Sequence, residues 1–376
     1  MALLPPIKRT RPVLGGSLFA LVLLVAHQPR ALAQSAAVGV YAEASTEHDT
    51  LITPRISVVS PAVASTALRA GYALDVISHA SVDIRTSRPP SSAPDLHHEL
   101  ELEALHQYSS ALRLAARYRF TTRYDYTSHT GVLMLEHELA QGAAVLSAVP
   151  YVRGNHIERV GDPTFSRSSG MFGLRLGLRQ LLDRASWLQL NYELQYAGGY
   201  LSSPYQVVGI GDNVSIGCIA AVLCVRDERP DSRFQHAVAL NVRRALSATI
   251  STGLVYRFYI DDWSLTSHTL EPDVSWMITP SMLLRLRYRG YLQTAAAFYR
   301  PDNSWRPGEP VTADVRLSAM QTHRVGCDFE MNWALRDGAR VATLFAVGAR
   351  YIKYGDRPDL ASVRALDATV WALLAL

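Results

Sequence analysis

Cysteine is scarce in this sequence, with three in 376 residues, and no pair has CxxC or zinc-ligand spacing. A zinc-built or disulfide-framework fold is therefore not expected. Beyond residue 33 no stretch offers 18 consecutive apolar residues, so no transmembrane helix is expected. There is no glycine-rich phosphate loop in a strand-turn-helix context. A true charge surplus is missing too: 37 basic residues exceed 33 acidic ones only because of Lys8, Arg9, Arg11 and Arg30. All four precede residue 34, so the remainder is formally neutral and nucleic acid is not expected as a partner.

What is present begins with "VLGGSLFALVLLVA", preceded by that basic cluster and followed by Ala31-Leu32-Ala33. This is the pattern of a secretory signal peptide over residues 1–33, giving a chain that starts near Gln34 and forms one domain over 34–376. In an oxidising compartment Cys218 and Cys224, in a stretch rich in small residues, are expected to form a local disulfide. Cys327, among alternating apolar residues, reads as a small apolar side chain.

The dominant signal is period-2 alternation. In "SMLLRLRYRGYLQ" Arg285, Arg287 and Arg289 alternate with Leu284, Leu286 and Tyr288. Glu99, Glu101 and Glu103 alternate with Leu100, Leu102 and Ala104, and Arg113, Arg117 and Arg119 with Leu112, Leu114, Ala116, Tyr118 and Phe120. Arg175 between Leu174 and Leu176, and Glu193 within "LQLNYELQY", repeat the pattern. A helix would scatter these charges around its axis; a strand aligns them on one face. Strands of this length can cross hydrocarbon, with lipid on one face and a polar lumen on the other. A soluble all-β protein also alternates, and the loop lengths decide between them.

Strands are expected near 36–46, 50–60, 66–77, 97–107, 111–125, 130–140, 144–157, 169–180, 186–200, 231–243, 248–261, 266–278, 281–294, 317–335, 339–353 and 362–376. Their connections alternate between short ("YSS", "QGA", "TPS", "RDG") and long (78–96, 201–230, 295–316). The expectation is an all-β, antiparallel, up-and-down transmembrane β-barrel of about sixteen strands (14–18), with short periplasmic turns and long extracellular loops, in the bacterial outer membrane. Tyr118, Phe120, Tyr192, Tyr196, Tyr256, Phe258 and Trp276 fall near strand ends, where aromatic girdles sit.

The lumen is then lined by Glu99, Glu101, Glu103, Arg113, Arg117, Arg119, Glu136, Glu138, Arg175, Glu193, Glu271, Asp273, Arg285, Arg287, Arg289, Asp328 and Glu330. Adjacent strands of opposite charge predict ion-pair ladders, which either brace the wall or face one another across a constriction and set up a transverse field. The candidates for a plug are the loops 78–96 and 201–230. Catalytic chemistry has little footing. Asp261, Asp262, Ser264, Ser267 and His268 could assemble a lipid hydrolase at the rim, but Ser and Asp are ordinary turn residues. His79, Asp83, His97, His98 and Glu99 are too loosely spaced to specify a metal site. No enzyme, metal or cofactor is expected.

Four stretches, "AGYALDVISHASVD" (70–83), "RYDYTSHTGVL" (123–133), "YRFYIDDWSLTSHT" (256–269) and "LRYRGYLQTAAAFYR" (286–300), resemble an uncharacterised domain-of-unknown-function family of bacterial outer-membrane barrels. The resemblance implies the fold and the location, and implies no established activity. It also implies a periplasmic redox-linked partner, since members occur beside exported thioredoxin-like proteins and flavin-attachment enzymes. Its stretches run from strands into outer loops, which puts Asp75, Asp83, Asp125, Asp261, Asp262, Gln293 and Tyr299 at the extracellular rim. One departure is the C-terminus, "TVWALLAL", which lacks the terminal aromatic read by the barrel assembly machinery. The expected function is a porin-like channel or transport component for a small polar solute, with outer-membrane lipid and the assembly machinery as partners. A non-conducting scaffold that anchors or exports a periplasmic or surface partner is the alternative.

Overall fold

A computed structural model of the chain describes residues 35–46, 49–63, 65–77, 95–210, 223–299, 305–335, 339–355 and 362–376. The wall begins with β1 (Ser35–Ser45), β2 (Thr50–Val63), β3 (Thr66–Ile77), β4 (Asp95–Gln107), β5 (Leu112–Arg123) and β6 (Tyr126–Leu139). It continues with β7 (Ala144–Glu158), β8 (Ser166–Leu181) and β9 (Ser186–Gly199). A small hairpin, β10 (Val207–Ile210) and β11 (Leu223–Arg226), then interrupts it. The wall resumes with β12 (Ser232–Ala245), β13 (Ile250–Asp261), β14 (Thr266–Thr279) and β15 (Met282–Gln293). Last come β16 (Met320–Ala334), β17 (Arg340–Tyr354) and β18 (Ser362–Ala375).

Every wall strand pairs antiparallel with its neighbour in sequence, β9 with β12, and β1 with β18, so the sixteen-strand sheet closes on itself. Closure satisfies the backbone without leaving an edge, which hydrocarbon demands. All sixteen expected strands form; the sequence had no clear alternation for the β10–β11 hairpin, which lies off the wall.

Local chemistry fixes the short turns. Between β4 and β5 the Ser109 hydroxyl accepts from the Leu112 N–H at 3.1 Å. Between β8 and β9 the Asp183 carboxylate accepts from the Ala185 N–H at 2.7 Å. Between β12 and β13 the Ser247 hydroxyl accepts from the Ile250 N–H at 3.0 Å. These side chains mimic a backbone turn. The β6–β7 turn instead places Ala140, Gln141 and Gly142 in succession at positive φ, and Gly142, at 87°, is the residue for which this carries no steric cost.

Register converts alternation into two surfaces. Glu103 pairs with Arg117 while Leu102 pairs with Tyr118, so charged and apolar rows face opposite ways. Leu102 is 48% exposed and Glu103 only 8%. Leu133, Val152, Phe172, Leu286, Val347 and Leu366 continue the exposed apolar belt around the outside. An apolar surface of this extent belongs against lipid. The apolar core lies elsewhere: Trp263, Leu265, Ala296, Phe298, Tyr299 and Leu317 pack together at the long-loop end.

Candidate functional site: the lumen wall and its mouth

The inward rows form a ladder of ion pairs. On β4 and β5, Arg119 meets Glu101 at 2.7 Å and Glu99 at 3.6 Å, and Arg117 bonds Glu103. Arg113 reaches Glu136 on β6 at 3.1 Å, and Arg175 on β8 reaches Glu193 on β9 at 2.8 Å. Across β14 to β16, Arg289 meets Glu271 at 3.2 Å, Arg287 meets Asp328 at 2.6 Å, and Arg285 bonds Ser275 at 3.0 Å while lying 3.9 Å from Asp273. Glu138 and Glu330 sit on inward rows without an ion-pair partner among the described residues. Each exposed pair is worth about 0–1 kcal/mol, so the ladder acts through its number and its arginine forks rather than through any one pair.

Several pairs skip a strand, among them Arg350 on β17 with Glu43 on β1 and Arg257 on β13 with Glu193 on β9 at 3.9 Å, and two more do so across a glycine. Arg243 on β12 bonds Asp273 on β14 at 2.8 Å, and Arg324 on β16 bonds Asp367 on β18 at 2.5 Å. The intervening residues are Gly253 and Gly348; a Cβ on Gly253 would lie 2.2 Å from Asp273 Oδ2.

Among the described residues the inward carboxylates and arginines pair across adjacent or next-adjacent strands, which is the geometry of pairs that brace the wall. Inward charges of both signs stay outside ion pairs among the described residues, Glu138 and Glu330 on the acidic side and several arginines on the basic side. Arg55 and Arg179 on inward rows have no carboxylate partner among the described residues, and Arg153 bonds only Thr130, at 3.2 Å. A lumen recess of about 250 Å³ is lined by Arg55, Arg69, Arg117 and Arg119 against Glu99 and Glu101.

At the long-loop end the segment between β15 and β16 turns into the barrel. Gln293 on β15 donates to the Arg316 carbonyl at 2.9 Å and to the Ser318 carbonyl at 2.8 Å. Val315 packs on inward-facing Val363, with Ile352 and Tyr354 beside it. Asp314, 1% exposed, accepts from Arg229 at 2.9 Å and from Arg316 at 2.8 Å. Arg229 Nε in turn lies 2.9 Å from the Asp227 carboxylate as an ion pair, and Asp227 accepts from Thr312 at 2.5 Å. Burial pushes the Asp314 carboxyl up, but the hydrogen bond and charge of Arg316, with the charge of Arg229, outweigh it and hold the group below its usual range. Under this segment lies a cavity of about 450 Å³ lined by Arg229, Arg233, Arg257 and Arg316, with Asp314 its one carboxylate.

Residues 312–316, from the loop 295–316, supply this inward segment, and that loop is neither of the two plug candidates. Of the two candidates, part of 201–230 joins it through Asp227, Arg229 and the β10–β11 hairpin, where Val208 and Ile210 pack on Val311. Residues 78–94 lie outside the described residues, Asp83 and His79 among them.

The rim residues divide. Asp261 is buried under Arg233 at 2.5 Å, and Gln293 and Tyr299 are buried in the mouth. Asp75 accepts from Thr53 at 2.7 Å near the end of β3, and Asp125, in the turn between β5 and β6 at the long-loop end, accepts from Arg123 at 2.5 Å. Asp262 is exposed, accepting from the Phe234 N–H at 3.0 Å. The hydrolase candidates do not assemble: Ser267 is buried on the inward row, whereas His268 points outward and bonds Tyr256 at 2.8 Å. His97 and His98 fall on opposite faces, His98 bonding Tyr72 outside the barrel. Cys224 is disulfide-bonded and Cys327 is free; Cys218, the expected partner, lies outside the described residues.

A closed sixteen-strand antiparallel wall with an apolar exterior and a charged interior is that of an outer-membrane β-barrel. The family described as "Protein of unknown function (DUF3570)" matches residues 162–354, more than half of the chain, and the chain belongs to it. Among solved structures, a bacterial polysaccharide outer-membrane secretin superposes with a TM-score of 0.52 at 8% identity, over 92% of this chain and 99% of that one. OccK1 (OpdK) of Pseudomonas aeruginosa gives a TM-score of 0.47 at 8% identity, over 91% and 98%. The ferric enterobactin receptor PfeA of the same organism gives 0.46 at 10% identity over 85% of this chain, which spans only 54% of the receptor. At these identities the likeness is one of fold. No curated protein matches the chain.

Proposed function

We propose that this barrel passes a small, polar, anionic solute across the outer membrane, with the inward-packed residues 312–318 forming its extracellular constriction. The observation that carries the reading is the mouth cavity of about 450 Å³, lined by Arg229, Arg233, Arg257 and Arg316 with Asp314 as its one carboxylate, which Arg229 and Arg316 hold ionised. A phosphate or carboxylate matches guanidinium forks geometrically, and arginine on both sides of the constriction favours its entry. Further down, the recess bearing Arg55, Arg69, Arg117 and Arg119 continues the same bias.

The test is single-channel conductance of the refolded protein in planar bilayers, with Arg285, Arg287 and Arg289 changed together to Gln as the paired variant. Discrete openings that prefer anions, with a preference reduced in the variant, are expected. A silent bilayer from folded, inserted protein would overturn the channel and favour the scaffold, whose lumen is closed by the same segment and ion pairs.

A further inference from the structure

Five outward-facing tyrosine–histidine pairs recur around the barrel. Tyr72 bonds His98, Tyr118 bonds His129, Tyr192 bonds His236, Tyr256 bonds His268 and Tyr288 bonds His323, each from the phenol oxygen to Nδ1 at 2.7–2.8 Å. Each histidine lies near the long-loop end of a strand running toward the short turns, and its tyrosine on the strand before. With the phenol donating to Nδ1, the ring proton resides on Nε2, where it is free to donate away from the barrel. Such donors at the outer headgroup level sit above an apolar belt.

One of these pairs crowns a groove. On the outer wall a hollow of about 670 Å³ runs over β16, β17, β18 and β1. Its apolar part is made by small Ala44 and Ala349 flanked by Val325 and Leu366, 56% and 69% exposed. At its upper end stand His323 and Arg364, the latter directly opposite Tyr351 in register. The Arg364 backbone is fixed by Thr46, whose hydroxyl accepts its N–H at 3.0 Å, while its guanidinium has no carboxylate partner among the described residues. No Asp or Glu lines the groove.

We infer that this groove binds a phosphate-bearing lipid of the outer leaflet, an acyl chain lying over Ala44 and Ala349 and the phosphate accepting from Arg364 and His323 Nε2. Charge complementarity selects the occupant. A protein helix would fill the apolar hollow but leave the cations unmatched, whereas an anionic lipid has its charge and its chain in the order that the groove presents them. The position at the long-loop end, on the lipid face, makes the outer leaflet the source.

Native mass spectrometry of the purified protein with bis-phosphorylated lipid A, and separately with its dephosphorylated form, tests this directly. At least tenfold stronger retention of the phosphorylated form is expected. Arg364→Gln with His323→Phe should remove that preference, and Ala349→Phe, which keeps both cations, should weaken retention of the phosphorylated lipid severalfold by filling the hollow. Equal retention of the two lipids by the unaltered protein would overturn the inference, and that comparison stands even where a variant fails to fold. Full preference in the Arg364/His323 double variant would overturn it as well.

Discussion

Arg324 and Asp367 pair at 2.5 Å across Gly348, joining β16 to β18 over the strand between them. Neighbouring strands lie about 4.8 Å apart, so the arginine must extend over nearly twice that distance along the lumen wall. Any side chain on the middle strand at this row stands in the path. A Cβ on Gly348 would lie 2.7 Å from Asp367 Oδ1 and 2.8 Å from Arg324 Nη2.

Gly348→Val should therefore break the bridge and lower the stability of the folded barrel by about 1–3 kcal/mol, the usual cost of forcing volume into an occupied site. Gly154→Val is the control, because nothing lies within 4 Å of its Cβ position. Heat-modifiability on gels reads both. In an Asp367→Ala background the Gly348→Val penalty should shrink, since the two changes remove the same interaction; simple additivity would separate the glycine from the ion pair.

The wall itself was legible in the sequence because two solvents, lipid and lumen water, impose a strict period of 2 on residues such as Leu284 to Arg289. The same parity held more than was taken from it. His268 is in phase with Leu270 and Val274, the outward row, which already removes it from Ser267 and any shared chemistry. Strand-skipping pairs were not legible, since a lone Gly348 in a strand has no local signature. The mouth was hidden for a related reason: Asp314, Val315, Arg316 and Leu317 pack on the inside of the barrel, and a segment that borrows its environment from distant strands carries no period of its own. The mixture of buried Val315 and Leu317 with Asp314 and Arg316 was the available signal.

At the seam, Trp371 on β18 lies over Gly39 on β1, where a Cβ would be 1.7 Å from the indole. Gly39→Val should displace Trp371 and destabilise the closing strand pair by about 2 kcal/mol. The matched variant Trp371→Ala should make Gly39→Val nearly neutral. Thermal melting followed by the shift on unheated gels decides it, and an equal penalty in both backgrounds would mean that the indole is not the obstacle.

Asp314→Asn removes the charge that joins Arg229 and Arg316 at the mouth, while Arg229 keeps Asp227. Losing one partner of a buried pair costs about 3 kcal/mol, the low end of the usual range. Residues 312–318 should then open roughly a hundredfold more often, read as faster trypsin cleavage after Arg316 and as larger, noisier single-channel currents. Unchanged cleavage and current would show that Gln293 and the Val315 contacts hold the segment without Asp314.

The direction of the Asp314 shift also fixes how the mouth answers acid. Its carboxyl, ordinarily near 3.8, is held lower in the folded mouth by Arg316 and Arg229 against the opposing effect of burial. For a depressed carboxyl, the stabilisation is fully present above the unfolded value, near pH 3.8, and is lost as pH falls through the lower folded value. The constriction should therefore hold unchanged from pH 8 down to about pH 4 and loosen only below that. Channel noise recorded from pH 7 to pH 2.5 should show one acid transition in the unaltered protein. Asp314→Asn, which has no proton to take up there, should show its raised channel noise at every pH and lack the transition. A transition centred between pH 5 and 7 would instead assign control of the mouth to a histidine and sink the role given to Asp314.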